Sequence, residues 1–284
     1  MATEKARGGK ALVLGGGGVT GVAWETGLLF GLAEKGVDLT DAGLFVGTSA
    51  GSVVAAQVTS GTPLSQLYEA QVSESSGEIA ERMSTAAILQ FLLAAAWPGD
   101  RKRARARLGR AALRAKTVPA EARLAVIADR LPSHEWPQQS QLLITAVEAE
   151  TGEDVVFTKE SGVALVDAVA ASCAVPLVWP PISINGHHYI DGGVRSTANA
   201  DLATGCAPIV ILAPIAASLR RADSPAAQIA AMEAGVQSII ISPDAAARVA
   251  IGSNVLDPAH RAASAQAGRA QATTVAEQIR AVWV

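Results

Sequence analysis

The sequence predicts an α/β fold, with a mainly parallel sheet and helices on its faces. Three observations lead there. Residues 11–14, 44–46 and 208–212 are short, wholly apolar runs of buried-strand length. The first two end in glycine-rich turns, each followed by a helix-compatible stretch. Strand and helix therefore alternate, which requires crossover connections and a parallel sheet. Half of the 284 residues are hydrophobic and 17% are charged, enough for a sizeable core. The length suits one domain over 1–284.

In chain order, strand 11–14 runs into the glycine stretch 15–21. A helix follows over 22–35, with Leu28, Leu29 and Leu32 on one face and Gly36 as its stop. Strand 44–46 feeds a tight turn at Ser49 and a helix over 53–58. Residues 62–137 read as a helical, cap-like insertion. Thr62 would cap its first helix, with Pro63 at the first helical position. Residues 86–97 are apolar except Gln90; as a helix they would span roughly 18 Å, too short to cross a bilayer. Strands return at 142–147 and 155–157 around Thr151-Gly152, and a helix is expected over 163–173. Strands 182–184 and 188–190 flank Asn185-Gly186, a strong hairpin signal. A strand over 236–241 and an Ala-rich helical end from Asp244 complete the chain.

Charge and cysteine content narrow the setting. The polar first ten residues lack the apolar centre of a signal peptide. Two cysteines, Cys173 and Cys206, do not form a disulfide framework, which fits a cytoplasmic, reducing environment. The net charge is −3, yet the stretch from Arg101 to Lys116 carries eight Lys or Arg and no acid. Beside the apolar run 86–97, this block has the makings of a peripheral contact with an anionic membrane. A solvated helix face accounts for it equally well. No nucleic-acid partner is expected.

The chemistry centres on Gly47-Thr48-Ser49-Ala50-Gly51, a Gly-x-Ser-x-Gly pattern between strand and helix. Such a turn lifts the hydroxyl of Ser49 clear of the sheet, and bulky residues at Gly47 or Gly51 would clash. The stretch Gly16-Gly17-Gly18-Val19-Thr20-Gly21 has two functional readings. It matches a dinucleotide fingerprint and equally an oxyanion hole built from backbone N–H groups. A dinucleotide fold needs an acid at the end of its second strand; here that position holds the serine turn. Parallel neighbouring strands would place the loop and Ser49 on one sheet edge, as an oxyanion hole requires.

Ser49 needs a base. His134, His187, His188 and His260 are the histidines. Ser49, Asp191 and His260 have the chain order of an α/β-hydrolase triad. Asp191, at the end of the hairpin and followed by Gly192-Gly193, could instead take the proton directly. A carboxylate base would leave no acid limb near the histidine pKa of about 6.5.

Together these motifs resemble the patatin-like phospholipase family. The glycine loop, the serine motif and Asp191-Gly192-Gly193 occur in the family's order and spacing. The stretch 171–176 resembles the block ahead of its aspartate. The resemblance runs from about Lys10 to Asp201. It implies a three-layer α/β/α fold and hydrolysis of lipid acyl esters by a Ser49–Asp191 dyad, without metal or cofactor. Gly16, Gly17, Gly18 and Ala50 would form the oxyanion hole, supported by Gly21, Gly47, Gly51, Gly192 and Gly193. Two departures stand out. Thr20 occupies a position that is usually Lys or Arg, and the family's Asn-x-Pro after Asp-Gly-Gly is missing, with Asn199 nearby. A lipid-binding module that kept the motifs without turnover is the rival reading. Cys173 reads as a buried core thiol, and His187 and His188 as hairpin residues.

Overall fold

A computed structural model describes residues 8–73, 100–218, 220–233 and 235–284. Strand β1 (Ala11–Leu14) leads into helix α1 (Gly18–Glu34), and β2 (Leu44–Gly47) into α2 (Ala50–Val58). Helices α3 (Leu64–Val72), α4 (Arg101–Ala112) and α5 (Ala120–Arg130) follow. The antiparallel part comprises β3 (Gln141–Glu148), β4 (Asp154–Phe157), helix α6 (Leu165–Ser172), β5 (Ile182–Ile184) and β6 (His187–Asp191). The chain ends with β7 (Ile209–Leu212), α7 (Pro225–Ala230), β8 (Ser238–Ile241), α8 (Ala245–Ile251) and α9 (Arg261–Trp283).

The strands form one sheet in the order β5-β6-β3-β2-β1-β7-β8, with β4 also on β3. Strands β3, β2, β1, β7 and β8 pair in parallel, and β4, β5 and β6 are joined by antiparallel pairings. Alternation along the strands sends side chains to opposite faces. Leu12, Leu14 and Phe45 point into one core with residues of α1, α2, α6 and α9. Ala11, Val13 and Val46 meet a thinner layer that includes Ala198, Ala200, Ala203 and, more peripherally, Ile229 of α7. The result is a three-layer α/β/α arrangement, as the family resemblance implies.

The longest described helix, α9, lies directly on α1. A Cβ on Gly27 would stand 2.0 Å from the Ala265 carbonyl oxygen, and one on Gly268 2.2 Å from that of Trp24. Only glycine permits so close a crossing. Trp24 Nε1 donates to Gln271 Oε1 at 3.0 Å, and Trp283 Nε1 to Asp41 Oδ1 at 2.8 Å, so both ends of the pair are pinned.

Several boundaries differ from the expectation. Helix α1 starts four residues early, at Gly18, because Gly21 N–H bonds to Gly17 O and closes the first turn inside the glycine motif. Helix α2 likewise begins directly after Ser49. Pro63 is the cap of α3 rather than its first residue; Thr62 is held in the preceding turn by Ser60. The apolar run 86–97 lies outside the described residues. Among the described residues of 62–137 there are helices and no strand, and no described helix is long and apolar enough to cross a membrane. The basic block is partly structural. Arg101 pairs with Asp223 at 2.6 Å, Arg105 with Asp154 at 2.9 Å, and Lys102 with Glu153. Arg103, Arg107, Arg114 and Lys116 are exposed.

Candidate active site

The sheet itself brings the two motifs together. Ile144 of β3 pairs with both Gly47 and Phe157, and Ala146 with both Asp191 and Val155. Strand β4 takes one edge of β3, so β2 and β6 share the other. They run toward each other and end two positions apart, at Gly47 and at Asp191. The serine turn and the Asp-Gly-Gly turn therefore leave the sheet at one point.

Ser49 sits between β2 and α2 with φ 52° and ψ −117°, a backbone conformation costly for a residue with a Cβ. The surroundings hold it there. Its N–H donates to Ser172 Oγ at 2.9 Å, and its carbonyl accepts from Ser52 Oγ at 2.6 Å and Cys173 Sγ at 3.3 Å. A Cβ on Gly51 would lie 2.0 Å from Leu14 O, so α2 can start this close to β1 only with glycine there. Ser172 and Cys173 thus brace the turn of Ser49 from behind.

Asp191 is buried at 5% exposure. Its Oδ1 accepts from Gly193 N–H at 2.7 Å. Its Oδ2 is buried without a hydrogen bond of regular geometry among the described residues. Burial pushes the carboxyl up to about 6; the nearby Ser49 hydroxyl, the Gly193 N–H and the Arg123 charge pull partly the other way. In resting sites the bond between base and nucleophile is often loose and tightens with substrate. This overturns the expectation of a pH profile free of a limb near 6.5. Desolvation moves the carboxylate into the histidine range, so an acid limb there cannot tell the two bases apart.

The glycine loop contributes fewer donors than expected. Gly16 N–H is already given to Thr197 O at 2.7 Å. The N–H groups of Gly17, Gly18 and Ala50 have no acceptor among the described residues; they stand at the N-termini of α1 and α2, where helices leave such groups over. Gly18 has φ +61°, and a Cβ there would meet Val255 O at 2.5 Å. Glu25, fully buried in α1, accepts the Gly15 N–H at 2.9 Å, and burial raises its pKa well above the usual carboxylate range. It braces the loop from the core side.

The histidines are engaged elsewhere. His260 Nδ1 contacts Ala250 O at 2.9 Å, His134 bonds Ala128 O at 3.0 Å, and His187 and His188 pair with Glu148 and Glu150. None of these contacts reaches Ser49 or Asp191. Cys173 is a buried thiol, and burial drives its pKa to about 11.

Asn199 has a role that the sequence indicated only by proximity. It is fully buried with φ 52°, and its Nδ2 donates to Thr48 Oγ1 at 3.0 Å and Ser196 O at 2.9 Å. Thr145 Oγ1 joins at 3.1 Å to Thr48. This knot ties the serine turn to the segment after Asp191. Thr145 and Ser172 carry no motif signal; their roles follow from strand register and helix packing alone.

A serine on a strained turn, a buried carboxylate beside it and unused backbone donors around them can together perform acyl transfer. The model of the family described as Patatin-like phospholipase matches residues 12–204, and the chain belongs to that family. It is also similar to the crystal structure of VipD from Legionella pneumophila, at 13% identity and a TM-score of 0.49, covering 95% of this chain and 67% of that one. The type III effector protein ExoU is 15% identical with a TM-score of 0.41, covering 96% of this chain and 53% of that one. No curated protein sequence matches the chain.

Proposed function

We propose that the protein is a serine acyl hydrolase acting on lipid esters through a Ser49–Asp191 dyad. Ser49 Oγ attacks the ester carbonyl while Asp191 takes its proton. The N–H groups of Gly17, Gly18 and Ala50 stabilise the oxyanion. Asp191 returns the proton to the leaving alcohol, and water then cleaves the acyl-enzyme with Asp191 again as base. The observation that carries this reading is the meeting of β2 and β6 on one edge of β3, which sets Asp191 beside Ser49 with every histidine elsewhere.

The test is hydrolysis of p-nitrophenyl esters of increasing chain length, then of lysophospholipids and phospholipids. Activity should rise with acyl length and vanish in Ser49→Ala. Equal activity in folded Ser49→Ala would refute the nucleophile. The exposed Arg103, Arg107, Arg114 and Lys116 support peripheral contact with anionic membranes. Vesicle binding should then fall with salt and with neutralisation of these residues. Equal binding to neutral and anionic vesicles would remove that part of the proposal.

A further inference from the structure

One side-chain amide touches the chain neighbours of both candidate catalytic residues. The Nδ2 of the buried Asn199 faces four oxygens: Thr48 Oγ1 at 3.0 Å, Thr145 Oγ1 at 3.2 Å, Gly192 O at 3.3 Å and Ser196 O at 2.9 Å. Thr48 precedes Ser49, and Gly192 follows Asp191. The amide therefore bridges the turn that leaves β2 and the turn that leaves β6. Its backbone is left-handed, with φ 52° and ψ 40°, which asparagine tolerates better than most residues with a Cβ.

The orientation of this amide is decided at both ends. Gly192 O and Ser196 O are carbonyl oxygens that can only accept, so the NH2 end must face them. At the other end Arg195 Nη1 donates to Asn199 Oδ1 at 2.6 Å, and a guanidinium can only donate. Arg195 is itself anchored. Its Nε donates to Asp154 Oδ2 on β4 at 3.0 Å, and its two Nη atoms fork onto the Asp201 carboxylate, with Nη1 2.9 Å from Oδ1. Asp201 Oδ1 also accepts from Gln228 Nε2 of α7 at 2.7 Å. The chain of contacts runs from β4 through Arg195 and Asn199 to the residue before the nucleophile.

We propose that Arg195 and Asn199 form a positioning unit for the hydrolysis, holding the Ser49 turn and the Asp191 turn at reacting distance. The proposal rests on the Ser49–Asp191 reading for the reaction concerned. Ser49 has a strained backbone that relaxes unless its surroundings hold it, and Asp191 must stay within reach of its proton. Asn199 bears on both turns at once, and Arg195 keeps its amide from rotating. Neither takes part in a chemical step.

The experiment joins kinetics on one p-nitrophenyl ester with hydrogen exchange read by mass spectrometry, on variants shown to be folded by near-UV circular dichroism. Asn199→Gly removes the amide without penalising the left-handed backbone, and should lower kcat about a hundredfold with KM within about threefold. Arg195→Met should lower kcat about tenfold, with partial rescue in Arg195→Lys. Because Arg195 acts through the amide, the double variant should lie within about threefold of Asn199→Gly, whereas a merely structural role gives losses that multiply. Exchange over residues 47–52 and 191–195 should quicken at least about tenfold in either single variant, with the α1–α9 contact within about threefold of wild type. Unchanged kcat in folded Arg195→Met, or losses that multiply, overturns the unit. A wild type without Ser49-dependent turnover overturns the hydrolase reading instead; exchange then decides alone, and unchanged exchange in both turns overturns the unit.

Discussion

The two sides of the pocket are built on different principles. On the nucleophile side, short motifs do the work. Ser49, Ala50 and Gly51 are consecutive, and backbone contacts, such as that of Gly51 with Leu14, fix the turn. On the opposite side, Arg123, Arg130 and Trp179 come from segments far from Ser49 in sequence, and side-chain packing gathers them. The comparison teaches that the turn at Ser49 is fixed by residues close in sequence, whereas the opposite wall depends on how α5 packs.

The largest effects should fall on the nucleophile side. Ser49→Ala should abolish ester hydrolysis, and Asp191→Asn should lose nearly as much, by several powers of ten in kcat. Because the two act as a unit, the double variant should be little worse than Ser49→Ala, as steady-state kinetics on one ester will show. Losses that multiply would mean the two do not act together. Gly51→Ala should damage the fold itself, since its Cβ would overlap Leu14 O. A loss of roughly 3 kcal/mol or more in urea denaturation is expected.

Much of this side was legible in the sequence, and the reasons are physical. Strand–glycine–helix turns need particular residues at particular positions, so Gly47, Ser49, Gly51 and Asp191 announce themselves. The hairpin at Asn185-Gly186 was legible for the same reason: both residues have positive φ, and few residues other than Asn and Gly tolerate that in succession. Helix starts were misplaced at α1 and α2 because glycine lowers helix propensity, while the close packing here requires it. The spent N–H of Gly16 was hidden, since Thr197 reaches it from far along the chain. So was the raised pKa of Asp191, which comes from burial. Residues beyond 204 carry no motif, yet α9 covers α1 along its length.

Intermediate effects concern Asp191 as a buried acid. Its rise from 3.8 to about 6 corresponds to about 3 kcal/mol. The folded state holds a proton that the unfolded state has lost between those values, so stability falls as pH rises through that window, and the penalty is complete above about 6. Asp191→Asn should therefore melt several degrees higher than wild type at pH 8, with a smaller gain at pH 5, by scanning calorimetry. The same carboxyl must be ionised to act as base, so kcat/KM should fall below a pH of about 6. A melting gain independent of pH would contradict the burial account.

The smallest effects test the division of labour between the two sides. His260→Ala should change turnover by no more than about threefold, because its ring is occupied at Ala250. Thr20→Arg should not raise turnover: the side chain is enclosed and bonded to Val255 O, so a charge there lowers stability instead. A folded, faster Thr20→Arg would show that the missing positive charge of the loop limits turnover.

The most direct measurement needs no knowledge of the substrate. A fluorophosphonate reacts with an activated serine, and intact-mass spectrometry follows the adduct with time. Wild type should gain one phosphonyl group, mapped to Ser49, and Ser49→Ala none. Asp191→Asn should react at least about a hundredfold more slowly, and His260→Ala at the wild-type rate. Folded wild type that stays unlabelled, or Asp191→Asn that labels as fast as wild type, would contradict the dyad; His260→Ala that fails to label while folded would hand the base role to the imidazole.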